Sequence, residues 1–193
     1  IYHMRRNIVL TVFIFFMSTS AFAAKVATKL CTSPNYDCIK VKKGDSWKKL
    51  WPDPQVRRVV MRLNRMNTRL RRGMRIAVPI SLSNITHMDI SPVPYSIKPY
   101  NQRVIIIHMR KHAFGAYDSN GYLVHWGPIS GGKGYCPDVK RACNTPRGSF
   151  RVFRKGTSLC ESSKYPIPDG GAPMPYCMYF KGGFAMHAGD LPG

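Results

Sequence analysis

Three closely spaced pairs of cysteines limit how this chain can fold. The pairs are Cys31 with Cys38, Cys136 with Cys143, and Cys160 with Cys177. An even number of cysteines that bracket turn-rich sequence indicates a disulfide framework in an oxidising compartment, although several connectivities are possible. We expect each cysteine to pair with its neighbour. A zinc site is the weaker alternative, because no Cys-x-x-Cys motif occurs and no cysteine and histidine cluster has ligand spacing.

The beginning of the sequence has the pattern of a secretory signal peptide. Arg5 and Arg6 are followed by an apolar run over residues 8–17, and a small-x-small cleavage pattern ends at Ala23. A membrane anchor is the alternative, but the apolar run is shorter than the roughly 20 residues of a spanning helix. We therefore predict residues 1–23 as a cleaved signal peptide. The mature protein should be exported to the periplasm or cell envelope and should have no integral membrane span.

The chain is strongly basic, with 30 lysines and arginines against 9 aspartates and glutamates and a net charge of +21. A charge of this size favours an acidic partner, such as nucleic acid, an anionic membrane surface or an acidic polymer. Export argues against nucleic acid, so an anionic polymer of the cell envelope fits best. The alternative is that the charge serves only solubility and non-specific adhesion.

A small α+β unit is predicted over residues 39–79. Ser46 or Asp45 can cap its first helix, and apolar residues recur at helical spacing in its second helix. Alternation of apolar and polar residues marks the strands at both ends. The predicted elements are a strand at 39–42, helices near Trp47 and at 55–64, and a strand at 74–78.

Three motifs of this unit occur together: Gly44-Asp45-Ser46 before Trp47, the pair Leu63-Asn64, and a closing strand that contains Ile76 and ends at Pro79. In combination they resemble the LysM module, a family that binds the N-acetylglucosamine-containing glycan of peptidoglycan or chitin. The resemblance implies peptidoglycan as a partner, bound between the first and last loops of the unit. A small structural spacer is the alternative. The implied groove residues are Gly44, Asp45, Ser46, Leu70, Arg71, Arg72 and Gly73.

Residues 80–101 are predicted to be a proline-rich linker that is extended and fairly stiff. Beyond this linker, alternation and turn signals predict strands and no helices. The predicted strands are 103–109, which should be mostly buried, 113–117, 122–126, 150–154 and one that ends near His187. The chain is thus predicted to be mainly β, with the small α+β unit before a β-rich sandwich or barrel domain.

Several motifs in residues 102–193 follow one another in a recognisable order. They are Asp118-Ser119-Asn120-Gly121, Ile129-Ser130-Gly131-Gly132, Thr145-Pro146-Arg147-Gly148-Ser149-Phe150, Pro173-Met174-Pro175-Tyr176 and Phe184-Ala185-Met186-His187-Ala188-Gly189. This order resembles the L,D-transpeptidase catalytic domain of the YkuD type. The resemblance implies cysteine acyl transfer on peptidoglycan stem peptides, which crosslinks stems or attaches proteins to them. It implies no metal and no cofactor.

The same resemblance sets expectations for the end of the chain. The family takes its nucleophile, general base and an arginine from a Ser/Thr-His-Gly-Cys-x-Arg segment, downstream of the histidine that His187 matches. The sequence reaches Gly193 without this segment, so we expect a C-terminally truncated catalytic domain that is inactive as given. His187 should shape the acyl-transfer pocket, and Met186 and Gly189 should help to bind substrate beside it.

Other residues could in principle supply the chemistry. Cys177 precedes His187 in the same predicted sheet region, but a disulfide with Cys160 is the favoured interpretation. The remaining histidines of the second half are expected to be surface or sheet-face residues rather than ligands, namely His108, His112 and His125.

The sequence thus favours an exported peptidoglycan L,D-transpeptidase that has a LysM-like module. One alternative is a non-catalytic basic protein that binds peptidoglycan or the envelope. The other is a host-facing entry or adhesion factor.

Overall fold

The computed structural model describes residues 23–132, 134–136 and 140–191, so the predicted signal peptide lies almost entirely outside the described residues. More of these residues lie in strands than in helices, which confirms the prediction of a β-rich chain with few helices. The elements are α1 (Ala23–Leu30), β1 (Tyr36–Lys40), α2 (Trp47–Leu50), α3 (Pro54–Leu63), β2 (Arg75–Pro79), β3 (Val104–His108), a 3-10 turn (Met109–Lys111), β4 (Ala113–Tyr117), β5 (Leu123–Pro128), β6 (Tyr135–Cys136), β7 (Arg141–Ala142), β8 (Arg154–Lys155), β9 (Met178–Lys181) and β10 (Phe184–Met186).

The predicted order of strand, helix, helix and strand is confirmed over the small α+β unit. Strand β1 pairs antiparallel with β2, and α2 and α3 lie between them in sequence. The Ser46 side chain accepts a hydrogen bond from Lys49 N at 3.2 Å and caps α2. Asp53 caps α3 by accepting from Gln55 N at 2.6 Å and Val56 N at 3.2 Å. Strand β1 begins earlier than predicted, at Tyr36.

The unit has its own hydrophobic core on one side. Trp47 and Trp51 of the α2 region pack there with ring centroids 5.6 Å apart. The other members come from the residue after β1, from α3, from the loop after α3 and from β2, and are Val41, Val60, Met66, Leu70, Ile76 and Val78. Burial of these side chains is the main source of stability for so small a unit.

A second core joins this unit to the sheet that follows it. Ile76 and Val78 of β2 point into the first core, whereas Ala77 between them is buried in the second. The second core also contains Val59 and Leu63 of α3. The later part of the chain contributes Ile90, Val93, Ala113, Tyr117, Leu123 and Trp126. Strand β2 and helix α3 are therefore buried on two sides.

The proline-rich segment 80–101 is packed against the body of the protein. Ile90 and Val93 are buried in the second core. The Trp126 indole N–H donates to the His87 carbonyl, and the Tyr117 hydroxyl donates to the Pro94 carbonyl at 3.0 Å. These contacts hold the segment against β4 and β5.

Strands β3, β4 and β5 form an antiparallel sheet in that order. The predicted strand at 113–117 is confirmed as β4, and the strand predicted at 122–126 is present as β5, which begins at Leu123 and continues to Pro128. The prediction that 103–109 is mostly buried is wrong, because Ile105 is 39% and Ile107 is 37% exposed. Only one face of the sheet packs on the second core, so alternate residues of the edge strand β3 face solvent.

The last part of the chain consists of short strands linked by disulfides. All three predicted pairs are confirmed, and three disulfides fit an exported protein. Strand β9 lies between β8 and β10. The predicted strand 150–154 is wrong in extent, because only Arg154 and Lys155 pair with β9, and Phe153 adds one hydrogen bond to Tyr179 O at 3.0 Å.

Candidate functional site

The two loops predicted to form a glycan groove lie side by side. Val41 N donates to Met74 O at 2.8 Å, and Gly73 N donates to Val41 O at 2.8 Å. These bonds continue the β1–β2 pairing and bring the loop 42–46 next to the loop 70–74. Gly44 and Gly73 have φ values of 83° and 89°, a region that glycine enters without strain.

Most of the predicted groove residues lie at the surface of these loops. The Asp45 carboxylate accepts from Lys42 N at 2.7 Å and lies 3.7 Å from Lys49 Nζ. Ser46 is committed to capping α2, and Arg71 and Arg72 are exposed. Leu70 differs, because its side chain is buried in the first core and only its backbone can face a ligand.

Trp47 connects the first helix to the segment just before the second of these loops. Its indole N–H donates to the Thr68 carbonyl at 2.7 Å, and its ring packs in the first core. The position of the loop 70–74 relative to α2 is therefore fixed by a buried aromatic side chain and not only by the strand pairing. A surface supported in this way is suited to binding a rigid ligand.

His187 directly follows β10, as predicted, and its side chain is exposed. Its Nδ1 lies 2.9 Å from the Ala188 carbonyl, and Ala188 N donates to Pro175 O at 2.8 Å. Met186 is half-buried and pairs with Met178 of β9, whereas Gly189 is exposed. The three predicted residues of this region are therefore adjacent, on a short supported strand and the segment after it.

Hydrogen bonds connect the segment after His187 to the loop that follows α3. The sequence did not predict this contact. Asn67 N donates to Leu191 O at 3.2 Å, and Leu191 N donates to the Asn67 side-chain oxygen at 2.7 Å. The Asn67 side-chain nitrogen donates to Gly189 O at 3.2 Å. One backbone bond and two bonds of the Asn67 side chain thus join two segments that lie more than a hundred positions apart in sequence. No periodicity or motif signals such a contact.

None of the six cysteines has a free thiol. All six cysteines of the sequence are in the three disulfides. The alternative in which Cys177 acts with His187 is wrong, because the Cys177 sulfur is bonded to Cys160. A disulfide sulfur has no thiolate form and cannot act as the nucleophile.

Two histidines lie close together on the outer side of the β3–β5 sheet. The rings of His87 and His125 are 5.7 Å apart, and His125 lies 5.9 Å from the Phe114 ring. Burial lowers the pKa of both histidines, and the positive charge of Arg62 lowers it further. Burial, followed by the charge of Lys111, also lowers the pKa of His108, whose buried Nε2 lacks a hydrogen-bond partner among the described residues.

Arg65 is a buried arginine that sequence reasoning missed. Its side chain donates to the carbonyls of Arg62 and Leu63 at 2.7 Å and to the Lys111 carbonyl at 3.3 Å. Its guanidinium lies 5.0 Å from the centre of the Trp126 ring. Burial lowers its pKa to about 10, although Tyr36 acts in the opposite direction. Arg65 therefore links α3 to the β3–β5 sheet.

Within the described ranges, no three His, Cys, Asp or Glu side chains are grouped so that they could bind a metal ion. None of the helices in the part of the chain that the structure covers is long and apolar enough to cross a membrane. Comparison of the chain with protein-family models, with curated proteins and with solved structures found no match.

Proposed function

We propose that this protein acts on the peptidoglycan of the bacterial envelope and is an L,D-transpeptidase that binds the wall through a LysM-like module. In this proposal, residues 39–79 are the glycan-binding module. Residues 102–193 belong to a catalytic domain with the β-rich sandwich of that family. The order of the motifs, the export signal and the three disulfides support the proposal.

The main observation in support of glycan binding is the contact between the loops 42–46 and 70–74. Two glycine-containing loops held together by backbone hydrogen bonds at Val41 form a rigid edge beside the exposed Arg71 and Arg72. Sugar hydroxyls and acetamido groups can bond to such backbone groups. The arginines can attract the carboxylates of an acidic wall.

The reaction part rests on the resemblance of residues 102–193 to the family. A cysteine thiolate would attack the stem-peptide carbonyl, and the peptide bond would break with release of the amine of the following residue. An amine of another stem would then attack the thioester, which forms the new amide bond and releases the thiolate. In the proposal, His187 shapes the pocket of this reaction and does not act as its base. All six cysteines of the sequence are disulfide-bonded, so we expect this chain to bind peptidoglycan without catalysing exchange.

Sedimentation with purified peptidoglycan at rising salt tests the binding part. Charge-driven binding is screened at about 1 M salt, whereas binding by a glycan groove should persist there. We expect Gly73→Val to remove the salt-resistant fraction, because a side chain at a φ of 89° strains the loop. The matched control is Gly183→Val, which has open space for a side chain and no left-handed φ. Complete loss of wild-type binding at high salt would contradict the groove.

A non-catalytic wall-binding protein is the second candidate function. The pairing of all six cysteines favours it, because it leaves no thiol for acyl transfer. Incubation of the oxidised chain with muropeptides and an acceptor amine, followed by mass spectrometry of the products, tests whether this chain catalyses exchange, and we expect no products. Crosslinked or exchanged products from the oxidised chain would contradict the assignment of its cysteines to structure.

A further inference from the structure

Three phenylalanine rings lie next to one another at the end of the β9–β10 hairpin. The ring centroids of Phe150 and Phe180 are 5.3 Å apart, and those of Phe180 and Phe184 are 6.5 Å apart. Phe150 is 38% and Phe184 is 47% exposed, and none of the three belongs to either hydrophobic core. Adjacent exposed rings mark a surface that contacts another molecule. These rings and Lys181 form the aromatic surface.

The turn of the hairpin is open to solvent beside this surface. Strand β9 ends at Lys181, β10 begins at Phe184, and Gly182 and Gly183 connect them. Both glycines are exposed, and a side chain at either position would have no neighbouring atom within 4 Å among the described residues. The described part of the chain therefore leaves the hairpin tip uncovered.

Positive charge surrounds the aromatic surface. The Lys181 ammonium lies 5.5 Å from the centre of the Phe150 ring. The three rings come from the segments 147–155 and 178–186, which contain no aspartate or glutamate. The other basic residues of these segments are all exposed, and are Arg147, Arg151, Arg154 and Lys155. Exposed aromatic area and positive charge therefore occur together in these segments.

This combination fits one kind of partner better than others. A second copy of the chain would bring its own basic residues to the same surface, where like charges repel one another. A soluble acidic polymer would pair with the cations and leave the rings in water. A bilayer that contains anionic lipid satisfies both, because its surface attracts lysine and arginine and its interfacial region accepts aromatic rings.

We propose that the aromatic surface docks on an anionic phospholipid bilayer. Phe150 and Phe184 enter the boundary between the headgroups and the acyl chains, and Lys181 pairs with lipid phosphates beside them. The contact is peripheral and reversible, because a few rings and cations contribute only a modest binding free energy. The surface contains none of the residues assigned to glycan binding or to the acyl-transfer pocket, so it does not depend on the proposed function.

The test measures binding of the full chain, with its disulfides intact, to lipid vesicles that contain no peptidoglycan. The anionic vesicles are phosphatidylcholine mixed with phosphatidylglycerol, and the matched neutral vesicles are phosphatidylcholine alone. At about 150 mM salt, charges are screened beyond about 8 Å. We expect vesicle flotation under these conditions to show at least about tenfold tighter binding to the anionic vesicles.

Two pairs of variants separate a local effect from the effect of total charge. Phe184→Ser should weaken binding to the anionic vesicles about fivefold, because it removes exposed apolar area and no charge. Its control Tyr122→Ser removes a ring that is 62% exposed outside the aromatic surface, and should change binding less than about twofold. Lys181→Gln should also weaken binding about fivefold. Its control Lys98→Gln makes the same charge change at an exposed position outside the surface, and should change binding less than about twofold.

A third variant tests the hairpin tip in the opposite direction. Gly183 has open space for a side chain and no left-handed φ, so Gly183→Leu adds apolar area without strain. We expect Gly183→Leu to bind the anionic vesicles about threefold more tightly than wild type. This gain keeps the proposal testable if Phe184→Ser does not fold.

Four results would overturn the proposal. Equal binding of wild type to the neutral and anionic vesicles would exclude recognition of anionic lipid. Equal effects of a variant and its control would leave only the general attraction of a basic protein to any acidic polymer or surface. Weaker binding by Gly183→Leu would show that the hairpin tip does not enter the bilayer. A reversible dimer of the wild-type chain in sedimentation velocity, abolished by Phe184→Ser, would assign the aromatic surface to a second copy.

Discussion

At the scale of single residues, Asn64 shows how one side chain can join two elements. Its side-chain nitrogen donates to Val60 O at 2.8 Å and to Ala77 O at 2.7 Å, and its oxygen accepts from Ala77 N at 2.8 Å. The residue is fully buried. It satisfies the backbone groups of a residue that lies in the middle of the buried strand β2 and ties them to the end of α3.

Replacing Asn64 should therefore be costly. We expect Asn64→Ala to lower the free energy of unfolding by about 3 kcal/mol, because it leaves the buried N–H and C=O of Ala77 without their partner. Urea denaturation of the oxidised protein measures this change. The exposed control Asn35→Ala should stay within about 0.5 kcal/mol of wild type. Equal stability of the two variants would contradict the role of Asn64.

Histidines give the stability of the fold a pH dependence of predictable sign. Burial is the largest cause of the lowered pKa of His87, His108 and His125, and nearby cations add to it. A histidine with a lowered folded-state pKa takes up a proton more readily when the chain unfolds. Stability should thus be highest above the ordinary histidine pKa of 6.5 and should fall as the pH drops below it.

Urea midpoints measured between about pH 7.5 and about pH 5.5 test this sign. His125→Gln should make the urea midpoint depend less on pH, because one titrating group is removed. The exposed variant Asn35→Ala should keep the full slope. A wild-type midpoint that rises as the pH falls through this window would show that the sign is wrong.

At the scale of elements, the contact between the segment 187–191 and the loop after α3 determines the position of the candidate site around His187. Strand β10 supports His187 from one side, and Asn67 holds Leu191 from the other. The segment itself has no regular hydrogen-bond ladder, so its position depends on a few specific bonds. Segments of this kind open locally at a lower free energy than strands in a core.

Asn67→Ala should release this segment without unfolding the protein. We expect the Leu191 amide to exchange with solvent at least about tenfold faster, because its acceptor is the Asn67 side chain. Exchange of core amides such as Val60 and Ala77 should stay unchanged. The control Gln55→Ala, at an exposed position of α3, should leave Leu191 exchange as in wild type. Unchanged exchange of Leu191 in Asn67→Ala would show that other contacts hold the segment.

At the scale of the whole molecule, the net positive charge affects both the stability of the fold and the attraction of partners. A net charge of +21 with one ion pair among the described residues means that most positive side chains repel one another without a neighbouring carboxylate. Such repulsion favours expanded states and attracts acidic polymers. The disulfides oppose expansion because they cross-link the unfolded chain and lower its conformational entropy.

Salt should therefore stabilise this protein. Raising sodium chloride from about 20 mM to about 500 mM shortens the screening length and should raise the thermal midpoint. A variant in which several exposed lysines are replaced by glutamine should have a higher midpoint at low salt and a smaller response. Calorimetry of both proteins measures the effect. A midpoint that falls with salt in the wild type would contradict repulsion as the main electrostatic contribution.

Local sequence by itself determined much of this protein. Capping residues, turn glycines and apolar periodicity specify α2, α3, β2 and the β4–β5 hairpin, because these features act between residues close in the chain. The disulfide pairing follows from spacing for the same reason. The loops predicted to bind glycan are also brought together, since β1 and β2 pair as the alternation predicts.

Only the tertiary structure decided the rest. The second core, the buried Arg65 and the Asn67–Leu191 contact join residues that are distant in sequence and have no common pattern. The exposed face of β3 has the same cause, because an apolar strand is buried on both sides only when other elements cover both. Tertiary packing determines which apolar and basic side chains are buried, and it also forms a cavity beside Arg58 and Arg62.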